Sequence, residues 1–159
     1  MTEDEQAIIG KILTFDEGIR FEPYQDTKGY WTVGVGHRLY GDFSLSRMSL
    51  DQVLSLLHED MGNACMDAYR VFGKEFFDSL ILPRKAAIIS MLFNLGLNKY
   101  VHFYKMNRAI LKEDWETAAK ECKDSKWADD VDIYQVDGKG RDDRVAHMFL
   151  GHFDPYYDI

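Results

Sequence analysis

Between Asp16 and His37 the chain changes character twice, and this constrains the fold more than any other stretch. Before it, Ile8, Ile9, Ile12, Leu13 and Phe15 recur at helical spacing, which predicts an amphipathic helix over residues 3–16. Thr2-x-x-Glu5 supplies a capping box at its start. Gly18 supplies a residue suited to the left-handed conformation that stops helices, which would leave Glu17 in the last turn. After it, Phe21 to Asp26 and Tyr30 to Gly36 are rich in aromatic and β-branched residues around the turn Thr27-Lys28-Gly29, predicting a β-hairpin. Strand alternation puts Tyr30, Thr32, Gly34 and Gly36 on one face and Trp31, Val33 and Val35 on the other.

This layout suggests chemistry. A helix C-terminus opposes a negative charge, so Glu17 is expected to hold its proton near neutral pH, as a general acid must. Glycines beside Thr32 let a bulky substrate approach the backbone, and Asp26 near the bend reaches the same cleft. Two such carboxyls suit glycoside hydrolysis, in which one protonates the leaving oxygen and the other activates water or attacks the sugar. Acidic domains also contain Glu–hairpin–Asp arrangements that do no chemistry, so spacing alone leaves the assignment open.

The string Asp16-Glu17-Gly18, then Tyr24-x-Asp26-Thr27-x-Gly29-Tyr30-x-Thr32-x-Gly34-x-Gly36-His37, closely resembles the T-even phage lysozyme family, glycoside hydrolase family 24. The similarity continues through Arg84-x-Ala86-Ala87-Ile88, Phe93-Asn94-x-Gly96, Trp115-Glu116-x-Ala118-Ala119, Ser125-Lys126-Trp127 and Arg141-x-x-Arg144-Val145, and so covers nearly the whole chain. The resemblance implies hydrolysis of the β-1,4 bond between N-acetylmuramic acid and N-acetylglucosamine in peptidoglycan, without a cofactor. It assigns Glu17 as general acid, Asp26 as second carboxylate, and Thr32 as a residue that helps place the attacking water for inversion. It also implies that His37 pairs with Asp60 on the following helix; partly buried, that pair would lose its stabilisation as pH rises through a raised histidine pKa or falls through a lowered aspartate pKa.

The fold implied is α+β, mainly α, and lysozyme-like. A small β-hairpin lobe (about residues 14–50) would be joined by a linking helix (about 50–70) to a helical lobe (about 71–159) packed with helix 3–16. The residues support parts of this directly. Ser49-x-x-Gln52 is a second capping box, and Leu50, Val53, Leu54, Leu57, Met61, Ala64 and Ala68 trace one apolar stripe beyond it. Further helices are expected near 75–81, 84–95, 104–111, 114–123 and 141–151, with Pro83 well placed to start the second and Ala87, Met91 and Leu95 facing the core. Against the T-even members, the region between His37 and the long helix is shortened.

The resemblance places Phe93, Asn94 and Lys126 at positions lining the cleft, and with Gly36 and Arg38 these are the expected substrate contacts, although Phe93 reads equally as core and Lys126 equally as a solvated lysine beside Trp127. Arg38, Met106 and Glu121 stand where T-even members carry Leu, Ser and Asn, so specificity can differ. Residues 128–140 read as an expanded loop, with Asp137-Gly138 as hairpin-turn chemistry and Tyr134 to Val136 as one arm. Asp130, Asp132 and Asp137 offer oxygens for calcium but lack the EF-hand order and its terminal Glu, so an acidic turn is expected and no metal. No second His or Cys stands at ligand spacing from His37, and His58, His102, His147 and His152 read as surface or packing residues.

At 159 residues and 46% hydrophobic content the chain can bury a core without metal or disulfide, and Cys65 and Cys122 are expected to be free thiols. A net charge of -8 argues against nucleic-acid binding. It also removes attraction to an anionic cell wall, so moderate salt is expected to raise activity by screening the acidic stretch from Asp114 to Asp143. A turbidity assay showing a steady fall from low to moderate salt would refute this. Thr2 to Gln6 is polar and acidic, so neither signal peptide nor membrane insertion is expected. The family reading therefore implies a monomeric phage endolysin made in the host cytoplasm and released to the wall by a separate holin, with a tail-associated lysozyme as the other role it allows. A lytic transglycosylase and a non-catalytic peptidoglycan-binding protein are the alternatives.

Overall fold

The computed structural model describes residues 1–26, 28–131 and 139–157. The hairpin proposed around Asp137-Gly138, and Asp132 and Asp137 of the calcium reading, lie outside the described residues. The chain is α+β and mainly helical. Two compact units are present, Thr2–Asn63 and, with Met1, Ala64–Ile159.

In the first unit, α1 (Glu3–Glu17) starts at the Thr2 capping box, where Thr2 Oγ1 accepts from the Glu5 N–H and Glu5 Oε2 from the Thr2 N–H. Its buried stripe is Ile9, Ile12 and Leu13, and Phe15 is exposed. A three-stranded antiparallel meander follows: β1 (Arg20–Gln25), β2 (Trp31–Gly34) and β3 (His37–Arg38). The third strand is an addition to the expected hairpin. Strand β2 ends at Gly34, and a tight turn at Val35 and Gly36 reverses the chain, so simple alternation does not extend to Gly36. The two residues of β3 pair with Thr32 and Val33. The Leu39 N–H adds a further bond to the Trp31 carbonyl at 2.8 Å.

The long helix α2 (Leu50–Phe72) opens on the Ser49–Gln52 box, with Gln52 Oε1 accepting from the Ser49 N–H at 2.8 Å and Ser49 Oγ from the Gln52 N–H at 3.3 Å. Val53, Leu57, Met61, Ala64 and Ala68 are buried, but Leu50 and Leu54 are about half exposed. The stripe therefore begins at Val53. Periodicity identifies the face of a helix, whereas coverage of its first turn depends on what packs there.

In the second unit, α3 (Lys74–Ser79), α4 (Leu82–Leu95), α6 (Tyr104–Leu111), α7 (Trp115–Lys123) and α9 (Arg141–Phe149) match the expected helices within a few residues. Pro83 lies in the first turn of α4, as its missing N–H allows. Two short helices escaped the sequence reading, α5 (Leu97–Tyr100) and α8 (Lys126–Val131), and the latter takes up the start of the expected loop. Helix α4 is the centre of the unit: Ala86 to Met91 are inaccessible, and α9 packs across it, with α7 and α8 against α9. Arg141 at the start of α9 donates from Nη2 to the Ser90 carbonyl at 3.2 Å and Ser90 Oγ at 3.0 Å. Cys65 and Cys122 are both free and buried, and burial pushes the Cys122 thiol far above its ordinary range. No helix among the described residues is long and apolar enough to cross a membrane.

Candidate active site

Glu17 is the last residue of α1. The helix ends because the Gly18 N–H donates to Thr14 O at 3.0 Å while Gly18 takes φ 72°, ψ 175°. This differs from the expected left-handed stop. The extended ψ sends the chain directly outward, where it enters β1 two residues later instead of curling back over the last turn.

The half-buried Glu17 carboxylate lies over the β2–β3 turn: a Cβ on Gly36 would stand 3.7 Å from Glu17 Oε2. Gly36 has φ 75°, a conformation that strains an L-residue by about 1–2 kcal/mol. Gly36→Ala is therefore expected to lower unfolding free energy by about 1 kcal/mol in urea titration and to reduce lytic rate as the strained turn shifts beneath the carboxylate. Unchanged stability and rate together would remove Gly36 from the site.

Asp26 closes the β1–β2 hairpin. Its N–H donates to Tyr30 O at 2.9 Å, and its Oδ1 accepts the N–H groups of Lys28 and Tyr30, each at 2.8 Å. The Tyr30 N–H holds the carboxyl below its ordinary range; partial burial opposes it, and the Lys28 N–H and the charges of Arg38 and Lys28 add to the lowering. Because the folded pKa is lowered, the associated stability is present above the unfolded value of 3.8 and is lost as pH falls through the folded one. The gap in unfolding free energy between wild type and Asp26→Asn should shrink on acidification. A gap independent of pH would exclude the charge as its source.

Thr32 is 5% exposed and pairs with Tyr24 on one side and Arg38 on the other. Its Oγ1 donates at 3.1 Å to Tyr30 O, the carbonyl that also accepts the Asp26 N–H. The backbone of Tyr30 therefore joins Asp26 to Thr32, a role the sequence reading missed. The available signal was an aspartate heading a turn, whose side chain favours bonding to N–H groups further along.

His37 Nδ1 lies 2.8 Å from Asp60 Oδ2, with both side chains about a quarter exposed, so β3 is tied to α2. The Arg38 guanidinium lies over the ring of Tyr30. In the helical unit, Phe93 is half-buried on α4, and Asn94 is exposed at its end with Oδ1 accepting from Trp127 Nε1 at 2.9 Å. Lys126 is exposed at the start of α8. Met106 is buried, and with Glu121, Asp124 and Ser125 it lines a pocket of about 400 Å³. Among the described residues no three His, Cys, Asp or Glu side chains are grouped to hold a metal ion.

Residues 15–139 match the phage lysozyme family model. The chain is 29% identical over 142 residues to "Probable T4-type lysozyme 1" of Dictyostelium discoideum, covering 75% of this chain and 84% of that protein. It is 24% identical to "Probable T4-type lysozyme 2" of the same organism, covering 73% and 82%. It is also 30% identical to "Pre-baseplate central spike protein Gp5" of Enterobacteria phage T4, where the match takes in 93% of this chain but 28% of the spike protein.

Proposed function

The chain belongs to the phage lysozyme family, and on that premise we propose that it hydrolyses the β-1,4 bond between N-acetylmuramic acid and N-acetylglucosamine in bacterial peptidoglycan, with inversion. Membership carries the coarser statement, a lysozyme-type glycoside hydrolase acting on peptidoglycan. The observation that supports the finer one is the joint seating of Asp26 and Thr32 on the backbone of Tyr30, in the same unit as a helix-terminal Glu17.

In this reading Glu17 protonates the glycosidic oxygen as the bond breaks. Asp26, held ionised by two N–H groups, acts as base toward a water on the opposite face of the sugar. The Thr32 hydroxyl spends its proton on Tyr30 O, so toward water its oxygen can only accept. A water giving one hydrogen to Asp26 and the other to Thr32 presents its lone pair to the anomeric carbon. Phe93, Asn94 and Lys126 are proposed as substrate contacts. We infer that the protein acts as a monomeric endolysin, made in the host cytoplasm and delivered to the wall by a holin.

Mass spectrometry of muropeptide ends released from purified peptidoglycan tests the reaction. Reducing muramic ends are expected, and ¹H NMR of the freshly released product should show the inverted anomer first. Anhydro ends would indicate a transglycosylase, and an absence of cleavage would indicate a binding protein.

A further inference from the structure

Arg38 stands opposite Thr32 in the sheet, with its Cζ 3.1 Å from the ring centroid of Tyr30 and 5.8 Å from that of Tyr40. Tyr30 and Tyr40 are 49% and 76% exposed, so Tyr30's ring takes its position from this cation more than from the core. The residues flanking Arg38 are both anchored: His37 by Asp60 at 2.8 Å, and Leu39 by its N–H bond to Trp31 O at 2.8 Å. Tyr30 in turn makes backbone bonds to Asp26 Oδ1, the Asp26 N–H and Thr32 Oγ1.

We propose that Arg38, stacked on Tyr30, is a positioning residue that fixes Tyr30 and through it the carboxylate of Asp26 and the hydroxyl of Thr32. The proposal rests on the hydrolytic reading above. The resemblance places Leu at this position in T-even members, so the cation is a feature of this chain. Its charge acts in the same direction as the stack. The cations acting on Asp26 are Lys28 from the turn and Arg38 from β3, while the carboxylate of Glu17, at the end of α1, lies over the Gly36 turn that leads into β3. Burial disfavours the charged guanidinium, but its interactions with Tyr40 and Tyr30 outweigh it, so Arg38 stays a cation throughout the working range.

Arg38→Met keeps an unbranched apolar stem and removes the charged guanidinium plane. On soluble peptidoglycan fragments it is expected to lower kcat about tenfold with KM little changed, and to move the acid limb of the kcat/KM profile to higher pH. Arg38→Lys should restore the limb but not the full kcat, because an ammonium cannot stack as a guanidinium does. A ¹³C titration of the Asp26 carboxyl in folded Arg38→Met should move upward, a readout independent of turnover. Wild-type activity with unaltered kcat and pH limb in Arg38→Met would overturn the proposal, as would an unmoved Asp26 titration. If Arg38→Met does not fold, Tyr30→Leu decides, since it removes the ring and leaves the backbone bonds; full kcat there overturns the proposal. If wild type releases no reducing ends, the hydrolytic reading fails instead, and the Asp26 titration still reports on Arg38.

Discussion

Glu17→Gln is expected to lower release of reducing ends from peptidoglycan by about 10²–10⁴-fold, the range associated with loss of a positioned proton donor. The amide has nearly the volume of the carboxyl, so the Gly36 turn beneath it should stay in place and the unfolding midpoint should hold. The loss should fall on kcat, because the missing proton transfer belongs to the transition state and not to substrate binding. A variant within tenfold of wild type would exclude Glu17 as the acid. A large loss accompanied by a lowered unfolding midpoint would attribute the effect to folding.

The largest expected effect on stability is at Phe149, which is fully buried in α9. Its carbonyl accepts from Arg84 Nε at 3.2 Å, and the Arg84 guanidinium stacks over Trp115 at 4.0 Å, so α4, α7 and α9 meet around this residue. Phe149→Ala leaves a void that three helices can fill only by shifting together, at a cost of about 3–5 kcal/mol. Against the usual total of about 5–15 kcal/mol, that is a large share. Urea unfolding should show a much lower midpoint at nearly constant slope. A change below about 1 kcal/mol would mean the helices close over the void.

What could be read from the sequence was what short-range rules determine. The Thr2–Glu5 and Ser49–Gln52 boxes, the buried stripe of α1 and the first hairpin each follow from residues close in the chain. Strand β3 has no such signature: two residues cannot display alternation, and pairing with β2 defines it. Helix α5, of four residues, is too short to show a helical period. Leu50 and Leu54 fit the right face of α2 yet remain exposed, because a stripe does not say where its cover begins. Residue type and spacing singled out Glu17, Asp26 and Thr32 as candidates, and only the resemblance attached roles to them. The part played by Tyr30 is carried by main-chain atoms that every residue except proline possesses, so its own side chain gave no sign of it and only the turn chemistry of Asp26 pointed there.

The turn from Asp26 to Tyr30 therefore has a fixed length before it has a fixed composition. Both bonds to Asp26 Oδ1 come from N–H groups at set distances along the chain, and the strand that carries Thr32 begins immediately after. Exchanging Lys28 for another residue leaves those N–H groups where they are. Inserting a single residue would carry Tyr30 out of reach and reverse the faces of β2, so an insertion scan would mark this short turn far more sharply than any scan of side chains.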